Sequence, residues 1–579
     1  MRRLVRIDGH IWIILALSLF AWAPLWGPTY FLEAHDAPHS IFFLNDFDQA
    51  IRDGAFCPRW ATDFALGYGY PLFILYSPLA FYVAEAFHLL GASLTASVKI
   101  TYLLAFLLSG LSMYALAKRT MGRGAGLLAA LAYIYIPYHL VDIYVRSAFA
   151  EFCALGFLPL ILLFFHRLLE TQERRYLAWA ALAYAGLILT HAPTAFIFTP
   201  LLVAYILFRL FSIVRGSGRR LLPLGMLAAG GMALALGLSA IFLLPMLVEK
   251  GYVVEEQWIS GSYSYDKHFV YFSQLFSPFW GYGYAGEGLA DQMSFQLGAV
   301  AIILALTGLT FGWAGPRRGL LGFFAAATLA LLLMMTPLAA PLWRLLPLAA
   351  LIQFPWRLLS LVAFTLAFLT GGVALALEEE GFGPALAVLA LLLVVSSYGY
   401  STPQHTEPSP RSEEPVAIID FETFHPPDRV GMTIWVEEQP QTSPLVPQYL
   451  AGEPLMKAHV LAQGGTVEMV RHGGASEEIV VRSPQETEVQ FYTYYFPGWT
   501  AYVDGRKASI YPSGPQGLIT LRMPAGEHRV FLRFEDTPIR TAGSIISFVS
   551  LLTIFGVLAR KPFSAIIGFV GRGSSADGR

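Results

Sequence analysis

The stretch Pro71-Leu72-Phe73-Ile74-Leu75-Tyr76-Ser77-Pro78-Leu79-Ala80-Phe81-Tyr82-Val83-Ala84-Glu85-Ala86-Phe87-His88-Leu89-Leu90 is apolar and long enough to cross a bilayer, yet it contains Pro71, Pro78, Glu85 and His88. Whether it crosses decides on which side everything after it lies. Charge settles the choice. Suppose 71–90 stays on one side as a re-entrant or interfacial helix pair. Then Lys118-Arg119 with Arg123, Arg167 with Arg174-Arg175, Arg209 and Arg215 with Arg219-Arg220, Arg317-Arg318 and Arg560-Lys561 all share the side of Arg2-Arg3. Lys and Arg accumulate in cytoplasmic connections, so this arrangement obeys the positive-inside rule. If the stretch crosses, every cluster but the first changes side. The sequence therefore predicts a cytoplasmic N-terminus and an outer location for 71–90.

Working outward, apolar segments long enough to span lie near 11–26, 97–117, 124–138, 150–166, 177–192, 194–210, 223–247, 293–313, 319–337, 357–377, 384–400 and 541–559, about twelve in all. Of the 579 residues 56% are hydrophobic and 13% charged, more apolar surface than a soluble core needs to bury. The first apolar run follows Arg2, Arg3 and Arg6 like a signal peptide, but it ends in Trp26-Gly27-Pro28-Thr29-Tyr30 with no small-x-small cleavage site. It reads as a first transmembrane anchor. A net charge of −2 gives nucleic-acid binding no electrostatic support. Cys57 and Cys153 make neither a disulfide framework nor a metal cluster, although both fall on the outer side, where pairing would depend on geometry.

In this topology the long connections, 27–96, 248–292 and 401–540, all lie outside, and long connections in compact proteins are usually functional. The expected organisation is a transmembrane domain 1–400, a Pro/Ser/Glu-rich linker 401–415, an extracytoplasmic β-sandwich 416–540, a final transmembrane helix 541–559 and a cytoplasmic tail 560–579. Alternating patterns predict strands at 477–482, 488–495, 500–504, 517–523 and 527–534, with turns at Asp504-Gly505 and Ala525-Gly526. Tyr492, Tyr494, Tyr495, Phe496 and Trp499 suit a sandwich core or an interfacial belt, and also stacking on sugar rings.

The first outer loop concentrates ionisable groups in a chain poor in them: Glu33, His35, Asp36, His39, Asp46, Asp48, Arg52 and Asp53. Asp36, about ten residues past the first span, sits where a lipid headgroup would be met, as suits a general base toward a sugar hydroxyl. His35 and His39 flank it and are placed to orient it, share its proton or, with Asp46 and Asp48, hold a divalent cation such as Mg or Mn. The alternative is a solvated loop with capping aspartates. A second group is His139, Asp142, Tyr144, Arg146 and Glu151, in which Asp142 and Arg146 have helical i,i+4 spacing and either pair with each other or offer a phosphate grip. His191 ends another span on the same side. Gln353-Phe354-Pro355-Trp356-Arg357 begins the next, where Arg357 either snorkels or holds the phosphate of a lipid-linked substrate.

His35-Asp36, His39, Asp46 and Asp48-Gln49, with Pro58-Arg59-Trp60, Gly67-Tyr68-Gly69-Tyr70-Pro71, Tyr144-x-Arg146, Glu151, Leu189-Thr190-His191 and Gln353-Phe354-Pro355-Trp356-Arg357, resemble the bacterial membrane proteins labelled 6-pyruvoyl-tetrahydropterin synthase-related. The outer stretch Tyr495-Phe496-Pro497-Gly498-Trp499-x-Ala501-Tyr502-Val503-Asp504-Gly505 with Pro524-Ala525-Gly526-Glu527-His528 is similar to the C-terminal part of YfhO-type membrane proteins. The three-histidine zinc pattern of the soluble pterin enzyme is not found among the 13 histidines. Both families in turn resemble the GT-C glycosyltransferases, polytopic enzymes that take a sugar from a polyprenyl-phosphate carrier and keep a catalytic Asp in the first outer loop, followed by interfacial helices. The resemblance implies a bacterial inner-membrane enzyme with Asp36 as base, Arg146, Glu151, His191 and Arg357 binding phosphate or substrate, and a glycan, lipid or protein acceptor. Asp36 departs from the pattern in following a His rather than pairing with an adjacent acid. A transport or envelope-assembly role on the same scaffold is the alternative, but it predicts ionisable groups deep in several spans, and here most charges sit at helix ends.

Overall fold

The computed structural model describes residues 8–217, 220–289, 292–346, 348–377, 383–409, 411–426, 431–461 and 463–559. Arg2-Arg3, Arg219, Arg560-Lys561 and the tail 560–579 lie outside the described residues. Seven helices are long and apolar enough to cross a membrane: Leu94–Met121, Arg123–Tyr144, Phe149–Thr171, Ala192–Gly216, Leu221–Leu238, Pro355–Leu375 and Pro538–Ala559. An eighth arises if Arg318–Met334 and Pro337–Leu345, bent by 84°, form one span. The chain is a polytopic helical membrane protein. Its count of full-length spans falls below twelve because four expected spans fold as shorter helices, Gly9–Trp22, Arg174–Thr190, Ala299–Gly312 and Pro384–Tyr398, of 14 to 17 residues. A straight crossing takes about 20 residues.

Burial orders the helices. The apolar window of Arg123–Tyr144 is 100% buried and that of Pro355–Leu375 is 89% buried, whereas Pro538–Ala559 is 11% buried and turns Phe548, Leu552 and Phe555 outward. An exposed face so rich in large apolar side chains suits lipid. Small residues let the central helices touch. A Cβ on Gly308 would meet the Leu369 carbonyl oxygen at 2.6 Å, and one on Gly371 would meet the Ala125 carbonyl oxygen at 2.7 Å.

The basic clusters gather at one end of the bundle. Lys118 Nζ lies 2.5 Å from Asp8 Oδ2, Arg119 Nη2 lies 2.5 Å from Glu170 Oε2, and Arg317 Nε donates to the Thr120 carbonyl at 2.9 Å. Residues 71–90 lie at the other end as two short helices, Leu72–Leu75 and Leu79–Leu89. The longer has 11 residues, or about 16 Å, too short to cross. Both ends of the stretch stay on one side. Tyr70 packs on Trp258 of the second long loop, and the N–H groups of Leu94 and Thr95 donate to the Glu413 carboxylate at 3.0 and 2.9 Å. Phe73, Phe81 and Tyr82 cover Phe47 of the helix Ala37–Arg52.

The C-terminal β region has nine strands: β1 Ala458–Val460, β2 Thr466–His472, β3 Ser476–Ser483, β4 Thr487–Tyr494, β5 Trp499–Val503, β6 Arg506–Ala508, β7 Tyr511–Ser513, β8 Leu518–Met523 and β9 Gly526–Phe534. They form two antiparallel sheets, ordered β1-β4-β8-β7 and β2-β3-β9-β5-β6. Ile479, Val481, Val530 and Leu532 of one sheet and Val489, Phe491, Ile519 and Leu521 of the other are buried in one core. The five expected strands correspond to β3, β4, β5, β8 and β9. Ahead of them, Pro415–Phe424 and Val446–Ala451 are helices laid on the first outer loop, where the Glu422 carboxylate accepts the N–H groups of Ala65 and Leu66 at 3.0 and 2.6 Å. Cys57 and Cys153 are free thiols.

The last helix is fastened by a buried ion pair. Arg540 Nε lies 2.9 Å from Glu249 Oε2, and its Nη groups donate to the carbonyls of Glu535 and Pro497. Removing one partner of a buried pair strands the other charge, at about 3–5 kcal/mol. Glu249→Ala is therefore expected to lower the thermal midpoint of the detergent-solubilised protein by several degrees, and Glu249→Ala combined with Arg540→Met to recover much of the loss. An unchanged midpoint in the single variant would show that the pair does not hold the helix.

Candidate functional site

The site is built where Arg123–Tyr144 ends and the chain turns back. Pro137 opens the helix Pro137–Tyr144, and Tyr138 and Asp142 share one face at i,i+4 spacing. The turn passes through Ser147 at φ 50° and re-enters a helix, Phe149–Leu155, with Glu151 in its first turn. Arg146, between them, is buried. Its Nη1 lies 3.0 Å from Glu151 Oε2, pairs with Asp142 and donates to Tyr138 Oη at 3.2 Å, while Tyr138 donates to Glu151 Oε1 at 2.9 Å. From a different helix, Arg357 Nε stands 3.8 Å from the same Glu151 oxygen. Arg357 Nη1 donates to the Ile352 carbonyl and to Gln353 Oε1, at 3.1 and 2.7 Å. Gln353 holds this position at φ 62°. The guanidinium of Arg146 lies over Trp356 at 4.7 Å and that of Arg357 over Phe354 at 5.0 Å, and the two rings stack.

Asp36 caps the helix Ala37–Arg52 at the rim of this cluster. Its N–H donates to the Arg146 carbonyl at 2.8 Å and that of His35 to the Val145 carbonyl at 3.1 Å, stitching the first outer loop to the turn that carries Arg146. The Asp36 carboxylate is exposed, makes no hydrogen bond among the described residues, and interacts electrostatically with Arg146 and Arg357. His191, buried, has Nδ1 2.7 Å from Thr194 Oγ1 and lies in the field of Glu151, Arg357 and Arg146.

The other expected residues have different neighbours. His35 Nε2 reaches the carbonyls of Tyr282 and Gly283 at 3.2 and 3.1 Å, and its ring stacks on Tyr284. Two acceptors make that nitrogen the protonated one, and burial holds the imidazole pKa below its ordinary value, so His35 ties down the second long loop as a neutral donor. His39 packs edge-on against Phe42, Phe43 and Phe421. Asp48 pairs with Arg52 at 2.6 Å on the side of Glu85 and His88. Asp46 is fully buried on another side, where it accepts the Asp63 N–H at 3.2 Å. No group of three or more metal-ligating side chains occurs among the described residues.

Asp46 belongs to an assembly that the sequence reading did not identify. Gln49 and Tyr449 donate to Asp63 at 2.7 and 2.6 Å, and buried Lys457 donates to the Gly67 carbonyl at 2.6 Å within the field of Asp63 and Asp46. Its members lie nearly 400 residues apart, beyond any local spacing signal. Tyr138 was also missed, although Tyr138, Asp142 and Arg146 share a helical repeat that would have marked it. Tyr76, half-buried in the field of Asp36, Glu151 and both arginines, gives no such signal.

Two outcomes follow. Glu151→Ala leaves Arg357 without its nearest carboxylate and is expected to cost about 3–5 kcal/mol, read as a lower unfolding midpoint. No loss would place the two arginines apart in the working protein. Burial, with Asp63 beside it, holds the Asp46 carboxyl well above the ordinary carboxylate range, so the folded chain keeps this proton to higher pH than the unfolded chain does. Stability from Asp46 is thus full below its unfolded pKa and falls as pH rises through the folded one. Asp46→Asn should flatten that part of the midpoint-against-pH curve, and an unchanged slope would contradict the protonated assignment.

Among solved structures, the chain is similar to the arabinofuranosyltransferase AftD from Mycobacteria, at 16% identity and a TM-score of 0.45, over 69% of this chain and 27% of that one. It is similar to ArnT from Cupriavidus metallidurans bound to undecaprenyl phosphate, at 14% identity and a TM-score of 0.38, over 66% and 62%. It is also similar to the archaeal oligosaccharyltransferase AglB from Archaeoglobus fulgidus in complex with an inhibitory peptide and a dolichol-phosphate, at 13% identity and a TM-score of 0.40, over 70% and 57%. The chain thus spans about a quarter of the AftD chain and less than two thirds of the other two. No curated protein matches the sequence. The model of the 6-pyruvoyl-tetrahydropterin synthase related domain, a membrane-protein family, matches residues 73–404, more than half of the chain and all of the cluster except Asp36. The chain belongs to that family.

Proposed function

We propose that the chain transfers a sugar, with inversion, from a polyprenyl-phosphate-linked donor to a hydroxyl of a glycan, lipid or protein on the extracytoplasmic face of a bacterial inner membrane. One observation carries the reading: the free carboxylate of Asp36 stands at the rim of a buried cluster holding two guanidinium groups. The acceptor oxygen forms its bond to the sugar's anomeric carbon as the bond to the phosphate oxygen breaks. The hydroxyl proton passes to Asp36, and the electron pair leaves on the phosphate. A phosphate leaving group needs a cation more than an acid. Arg357 is the better placed of the two, since its side chain is 15% exposed against 5% for Arg146, which Glu151, Asp142 and Tyr138 already engage. Arg146, Glu151 and His191 position it.

In this reading the basic end of the bundle faces the cytoplasm, in accord with the positive-inside rule. Twelve crossings result when the bent pair Arg318–Met334 and Pro337–Leu345 is counted as one span and the four shorter helices Gly9–Trp22, Arg174–Thr190, Ala299–Gly312 and Pro384–Tyr398 are added to the seven. A thinned bilayer or flanking anchors accommodate short spans at modest cost. The stretch 71–90 then lies beside the site as an interfacial helix pair.

The test is transfer of radiolabelled sugar by purified protein from a panel of polyprenyl-phosphate pentoses and hexoses. Asp36→Asn is expected to lower turnover about 100-fold or more while leaving the unfolding midpoint in place. Unchanged transfer would remove Asp36 as the base, and absence of transfer by the native chain from every donor would overturn the activity.

A further inference from the structure

A wall that carries Pro78, Leu79 and Leu189 bounds a cavity of about 90 Å³, which Arg59, Tyr82 and Phe242 also line. The wall is where the turn at Ser77 meets the end of the helix Arg174–Thr190. Ser77 Oγ donates to the Ile188 carbonyl at 3.1 Å and accepts the Ala192 N–H at 3.0 Å. Arg59 is 7% exposed, yet it forms no ion pair with any carboxylate among the described residues. Its one hydrogen bond runs from Nη2 to the Ile241 carbonyl at 2.7 Å, and its Nε is buried with no partner. Arg59 lies in the field of Arg540, whose charge Glu249 already balances. Burial of a lone cation is costly unless an anion joins it.

The rest of the lining indicates what the anion is attached to. Pro58, Pro78, Leu79, Leu189 and Phe242 are apolar, and Tyr82 donates its hydroxyl to the Phe56 carbonyl at 2.6 Å, beside the Cys57 thiol. Leu79 and Tyr82 belong to the interfacial helix, Leu189 to the end of a bundle helix and Phe242 to the start of another, Ala240–Glu249. A guanidinium in an otherwise apolar cleft at the end of the bundle matches an amphiphile with a phosphate head and a hydrocarbon tail. We infer that Arg59 anchors the phosphate of a second lipid, in a site separate from the Arg146–Arg357 cluster and bounded by the Ser77 wall. The inference stands independently of the glycosyl-transfer reading.

Cys57 supplies the reporter, since it lines the cavity and is exposed, while Cys153 is buried. The experiment measures the rate at which a water-soluble maleimide labels Cys57 of the full chain in phosphatidylcholine nanodiscs with and without phosphatidic acid, and in detergent with and without inorganic phosphate. Phosphatidic acid is expected to slow labelling severalfold in the native chain and not in Arg59→Gln, with Arg59→Lys keeping part of the protection. Slowing by phosphatidic acid alone identifies an amphiphile, and slowing by inorganic phosphate as well identifies the phosphate as sufficient. Protection by neither, or protection that persists in Arg59→Gln with an unchanged unfolding midpoint, would overturn the site.

Discussion

The carboxylate of Glu151 lies between two arginines carried by different helices, and the end of the bundle opposite the basic clusters is arranged around that contact. Arg146 comes from the turn after the central helix and Arg357 from the start of the helix beginning at Pro355, with Glu151 bridging them at 3.0 and 3.8 Å. None of the three would be stable buried alone, because each charge gives up hydration that the others replace, with help from Asp142, Tyr138 and Gln353. Aromatic rings take the remaining faces: Trp356 lies under Arg146 and Phe354 under Arg357. The neighbouring backbone is held in uncommon conformations, with Ser147 and Gln353 both at positive φ. Strain of that kind persists where the surroundings over-determine the geometry, as in a site that must be rigid before its ligand arrives.

The same economy explains how remote segments converge on Asp36. The first outer loop is held to the bundle by backbone bonds from His35 and Asp36 to the Val145–Arg146 turn, and to the second long loop through His35. Its far end is held by the C-terminal region: Asp53 accepts from the Ala475 N–H and the Ser476 hydroxyl, Glu422 caps Ala65 and Leu66, and Lys457 reaches Gly67. The β region is thus continuous with the loop that carries Asp36, and ordering one orders the other.

Much of this was legible in the sequence, for physical reasons that differ by feature. That 71–90 stays at the end of the bundle opposite the basic clusters followed from charge asymmetry between connections, a signal that survives without any contact being known. The strands β3, β4, β5, β8 and β9 followed from alternation, whereas β2, with a largely exposed and polar pattern, carried none. Asp36, Arg146, Glu151, His191 and Arg357 stood out because ionisable groups at helix ends are rare in so apolar a chain, and the structure brings them together. The resolution of that signal was limited. It marked Asp46 and Asp48 as a pair, yet they turn to different partners, and it ranked His35 and His39 by proximity to Asp36 when the first serves as a tether and the second packs on Phe421. The buried assembly around Asp63, Tyr449 and Lys457 depends on contacts across nearly 400 residues, which no spacing rule reaches. Length was the least informative signal: four apolar runs form helices of 14 to 17 residues, shorter than a straight crossing takes.

The central claim is that Asp36 and Arg357 face one reacting centre. A cryo-EM structure of the full chain with a non-hydrolysable polyprenyl-phosphate sugar analogue tests it most directly. The account predicts the phosphate within hydrogen-bond reach of the Arg357 guanidinium and the anomeric carbon open to the Asp36 side. A phosphate bound elsewhere, with the Arg146–Glu151–Arg357 cluster closed and Asp36 facing bulk water, would contradict it.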